Sequence, residues 1–136
     1  MLVFLKANLE KHIVFLHQLK LEAKESRIRT RFKKLLVEHY QQFHEEMEEL
    51  KDQHMLKNED GSFAMRNGSM VPRDSLILQK ELQELLEEQV MIESNAERMP
   101  MLQAMYRILQ SCSLQLEGET ADVYDQLCEQ FEQYAQ

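Results

Sequence analysis

Five cations fall within eight residues, Arg27, Arg29, Arg31, Lys33 and Lys34, and they are the densest basic run in the chain. On a helix, Arg27, Arg31 and Lys34 share one face, nearly opposite Phe32 and Leu36, whereas Arg29 and Lys33 flank the apolar stripe. Such a run could track phosphates or grip carboxylates. Cations near a helix N-terminus oppose the macrodipole, at about 0.3–1 kcal/mol each when exposed. An anion should therefore offset them: a carboxylate of the same chain, one of a second copy, or an acidic protein. Downstream, Glu45, Glu46, Glu48, Glu49 and Asp52 form the opposite run. These read as a solvated helix face or as a surface imitating DNA phosphates.

The histidines and cysteines are less organised. His12 and His17 are five apart, as are His39 and His44, a step that turns well off one helical face. Neither His-Glu-x-x-His nor Glu-x-x-His occurs, so no metal site is expected. Cys112 and Cys128 lack C-x-x-C spacing and read as small apolar side chains of a reduced core, with a disulfide left open. There is no G-x-S-x-G, P-loop or G-x-G-x-x-G motif. We expect no enzyme, no cofactor and no small-molecule substrate. Met1–Leu5 is apolar, but Lys6, Asn8, Glu10 and Lys11 interrupt it, which fits neither a signal peptide nor a membrane span. A protein of the cell interior is the expectation.

The net charge of -8 is unevenly spread. Residues 1–19 carry +1, residues 20–34 carry +5 and residues 35–136 carry -14. That acidic remainder would repel nucleic acid, and the one aromatic within the basic run, Phe32, belongs to the core stripe. Direct nucleic-acid binding is therefore disfavoured, and a protein partner is preferred.

The elements that must position these groups are helical. Only 3 Gly and 2 Pro in 136 residues argue against a sandwich or barrel, and Leu, Glu, Gln, Lys and Met are abundant. A first helix is predicted over about 8–20 with Asn8 as cap. A second runs from about 24 or 26 to 56, with Ser26 as a cap. Phe32, Leu36, Tyr40, Phe43, Met47 and Leu50 form its apolar stripe. At 1.5 Å per residue it is about 45 Å long, more than a compact domain of this size spans, so one end should project or pair with another chain. Residues 57–75 hold Asp60-Gly61 and Asn67-Gly68, and read as an ordered loop or small hairpin burying Phe63, Met65, Met70 and Val71. A third helix is predicted over about 75–89, capped by Asp74 or Ser75. Gln89–Glu93 alternates like a strand and can pair only with Leu2–Leu5. Pro100 opens a fourth helix, and a fifth covers about 119–134. The expected fold is a single, mainly α domain over 1–136: a long antiparallel helical hairpin, shorter packed helices and a minimal two-stranded β element.

Three stretches, Leu19–Leu36, Glu84–Glu93 and Gly118–Cys128, together resemble small acidic helical proteins of unknown function encoded by tailed phages and prophages of Gram-positive bacteria. The most specific part is Ser26-Arg-Ile-Arg-Thr30 following Leu19-Lys-Leu21. Family versions often carry Gly where this chain has Ala23. The resemblance implies a phage or prophage origin, residence in the cytoplasm of a bacterial host or in the virion, and no known enzymatic activity. It supplies no functional residues.

Two functions compete on this reading. One is a non-enzymatic accessory protein that binds a virion or host protein, or itself, through the two charged runs. The other is an inhibitor of a host defence or nucleic-acid enzyme that presents acidic faces as a DNA mimic.

Overall fold

A computed structural model describes residues 1–135. The chain begins with β1 (Leu2–Leu5), a 3-10 turn at Lys6–Asn8 and α1 (Leu9–Gln18). The long α2 (Ala23–His54) follows, then a hairpin of β2 (Met65–Arg66) and β3 (Ser69–Met70), and α3 (Ser75–Leu86). Strand β4 (Gln89–Ile92), α4 (Met99–Gln110), α5 (Gly118–Phe131) and a 3-10 turn at Glu132–Tyr134 complete it. The protein is mainly helical, with a minimal antiparallel sheet.

That sheet joins the two segments whose alternation singled them out. Leu2 pairs with Ile92, Val3 with Met91, Phe4 with Val90 and Leu5 with Gln89. Leu2, Phe4, Val90 and Ile92 are buried, so period-two spacing puts one face of both strands on the core. Facing them, α1 contributes Leu9, Phe15 and Leu16, α2 contributes Phe32 and Leu36, and α4 contributes Leu102, Met105, Ile108 and Leu109. From α5 come Val123, Leu127 and Phe131. Phe131 meets Phe32 edge-on at 5.0 Å between ring centroids. This head takes α2 only as far as Tyr40.

Beyond Tyr40, α2 leaves the head and runs antiparallel to α3 as a projecting arm. Glu46 and Glu88 share one cation at its base, and His54 meets Glu81 near its tip. The hairpin closes the tip. Asn67 (φ 53°) and Gly68 (φ 80°) form its turn, and positive φ at both central residues is the twist that a two-residue hairpin needs. Leu56 N donates to Val71 O at 2.7 Å and Arg73 N to His54 O at 2.8 Å, tying the hairpin back to the end of α2.

Several local expectations change. Helix α2 starts at Ala23, and its cap position is Glu22, which makes no side-chain cap bond. Ser26 therefore lies inside the helix, where its Oγ accepts from Arg29. Asn8 occupies the cap position of α1 without capping it. Met65 and Met70 are exposed, at 59% and 44%. The two-residue ladder has no layer behind it to bury both faces, so of the four side chains expected to be buried only Phe63 and Val71 are half-buried. Helix α3 stops at Leu86 because Gln89 enters the sheet.

Candidate interaction surface

The outer face of α2 gathers most of the charged residues singled out above. Arg27, Arg31, Lys34, Glu38, Gln41, Gln42, Glu45, Glu48, Glu49 and Asp52 are all exposed. Their spacing of one to four residues keeps them on one stripe, which runs about 37 Å along the helix. The stripe is basic at its start, neutral through Gln41 and Gln42, and acidic at its end. Among the described residues, Arg27, Arg31, Lys34, Glu45, Glu48 and Glu49 have no opposite charge within 4.0 Å. Asp52 has one distant partner, Lys57, at 3.8 Å.

Three members of the same runs serve the fold instead. Arg29 is buried, and its Nη1 donates to Leu16 O at 2.6 Å and Leu19 O at 2.9 Å. It thereby closes the C-terminal end of α1, where carbonyls lack intrahelical partners and the dipole favours a cation. Lys33 is half-buried and its Nζ donates to His17 Nδ1 at 3.0 Å. Glu46 accepts from Lys6 Nζ at 2.9 Å, and Glu88 accepts from the same nitrogen at 2.9 Å. Burial works against the Lys6 charge, but the hydrogen bonds it donates to Glu46 and Glu88, with the attraction of their charges, outweigh it and raise the pKa. As partner-binding groups, Arg29, Lys33 and Glu46 are thus already engaged. Helical spacing placed Arg29 and Lys33 beside the core stripe, and that position was the available signal.

A second set of exposed side chains is apolar. Leu76 (76% exposed), Ile77 (49%), Leu56 (44%), Met65 and Met70 all belong to the tip of the arm. Of these, Met65 and Met70 were expected to be buried, whereas helical spacing puts Leu76 opposite Leu78 and Leu85, the buried residues of α3. The rest of the fold leaves all five in solvent.

The remaining candidates fall into place around the core. His12 is 2% exposed, packs edge-on against Phe4, and leaves Nδ1 without a partner. Burial, aided by the neighbouring Lys11 charge, pushes its pKa down to about 4. Cys112 and Cys128 are free and half-buried. Tyr124 donates to Leu109 O at 2.6 Å, and burial with a Cys128 hydrogen bond pushes its pKa up to about 12. Among the described residues, no three His, Cys, Asp or Glu side chains are placed to hold a metal ion. No helix among them is long and apolar enough to cross a membrane. Comparison with protein-family models, with curated proteins and with solved structures finds no match.

Proposed function

We propose that the protein is a non-enzymatic accessory protein, of phage or prophage origin as the sequence resemblance implies, that acts by binding another protein. In this reading it works in the host cytoplasm or on the virion. The observation that carries it is the apolar arm tip: Leu56, Met65, Met70, Leu76 and Ile77 stand exposed at one end of a projecting arm. Large apolar side chains left exposed on neighbouring segments are the usual mark of a protein contact. Two methionines give such a surface room to adapt.

Photo-crosslinking from position 76 in infected cells, followed by mass spectrometry, tests this. One saturable adduct is expected, and Met65→Glu with Ile77→Glu should abolish it while the far-ultraviolet dichroism stays unchanged. An adduct that survives both substitutions removes the tip as the binding surface.

A second reading, an inhibitor that imitates DNA, is favoured by one observation: Glu45, Glu48 and Glu49 are exposed and unpaired among the described residues. Against it, the same stripe carries Arg27, Arg31 and Lys34, which a basic DNA channel would repel.

A further inference from the structure

The outer stripe of α2 is complementary to itself when reversed. Laid antiparallel about a point midway between positions 39 and 40, Arg27 meets Asp52, Arg31 meets Glu48, and Lys34 meets Glu45. The same register brings Glu38 beside Gln41, so no like charges face each other near the centre. All eight side chains are exposed on one face of one continuous helix. From these pairings we infer that α2 docks against α2 of a second copy of this chain, antiparallel, about a two-fold axis at that midpoint. The inference concerns a different surface from the arm tip and stands or falls separately from it.

Three physical arguments favour this occupant. A two-fold interface is isologous, so each of the three ion pairs occurs twice without any further sequence requirement. Within one chain Arg27, Arg31 and Lys34 find no carboxylate within 4.0 Å among the described residues. The antiparallel copy brings both carboxylates and the negative end of its own helix dipole to that place. Finally, the stripe is bipolar: a polyanion such as DNA is repelled by its acidic half, and a uniformly basic partner by its other half. A partner must carry the reverse order of charges, and the same helix turned end for end does so.

Exposed ion pairs are individually weak and screened, so the dimer is a low-salt species whose population falls as ionic strength rises. Sedimentation velocity on the full chain at about 20 mM and about 300 mM NaCl reads this directly. Two triple variants sharpen it: Arg27→Glu with Arg31→Glu and Lys34→Glu, and Glu45→Lys with Glu48→Lys and Asp52→Lys. Each alone should weaken self-association at least about tenfold, because every pair becomes a like-charge contact. Their equimolar mixture should regain a dimer within about threefold of the parent. A parent that stays monomeric at low salt overturns the inference, as does a mixture of two helical variants that fails to pair. Nitroxide labels give a check that leaves the charges intact. With Cys112 and Cys128 changed to Ser, Gln41→Cys should report an intermolecular separation under about 20 Å and Gln53→Cys one of about 40 Å. Short distances from both positions mean a parallel pair and refute the register. Labelled chains that give no dipolar signal at low salt refute the dimer itself. Loss of the dimer with the position-76 adduct retained would leave the arm-tip reading intact.

Discussion

His12 and Arg29 are the two buried polar side chains among the described residues, and each leaves one nitrogen, His12 Nδ1 and Arg29 Nε, without a partner. Arg29 offsets this with three hydrogen bonds. His12 does not, and stays buried by remaining neutral, which makes it the acid-sensitive point of the core. Its pKa is about 4 in the folded chain against 6.5 when free. Between those values the unfolded chain binds a proton that the folded one does not, so stability rises with pH across that window. The contribution is complete above 6.5 and is lost as pH falls towards 4. Urea unfolding should show a loss of about 2–3 kcal/mol from this group between pH 7.5 and 4.5. His12→Leu removes the titrating group while keeping the volume roughly constant, and its stability should fall by about 2 kcal/mol less over the same range. Equal slopes for both proteins would place the acid sensitivity elsewhere.

At the scale of elements, caps and turns were readable where a side chain had only one local use. Asp74 precedes an apolar run and follows Pro72-Arg73, and its Oδ1 accepts from Leu76 N at 3.0 Å and Ile77 N at 3.2 Å. Asp74→Ala should cost about 1 kcal/mol and speed hydrogen exchange at those two amides, with Asp74→Asn restoring most of the loss. Asn67-Gly68 announced its hairpin for the same reason, since the turn needs positive φ at both residues. Ser26 misled because it can cap or bond within a helix, and the choice was made by a guanidinium contributed from its next turn. Helical spacing showed that Arg29 lies beside the apolar stripe of α2. It could not show that the C-terminal end of α1 arrives there, because that is a property of two helices packed together.

At the scale of the whole molecule, the head and the arm are unequal. Helix α4 buries Leu102, Ala104, Met105, Ile108 and Leu109, whereas α3 buries only Leu78 and Leu85. Hydrogen exchange should therefore find β1, β4 and α4 protected to nearly the global stability. The hairpin and α3 should exchange by local opening at least about a hundredfold faster. Uniform protection would mean that the arm is held by more than its own contacts. Composition and periodicity were enough to determine a mainly helical chain, the pairing of its first residues with residues 89–92, and a helix too long for its head. These are consequences of local spacing and of which apolar faces exist to be covered. The separate fates of the charged and apolar residues were decided only in three dimensions. Exposure depends on what packs against a residue: the tertiary structure put Arg29, Lys33 and Glu46 to work inside the fold. It also left Leu76, Ile77 and Met65 in water at the tip and cleared one face of α2 along its length.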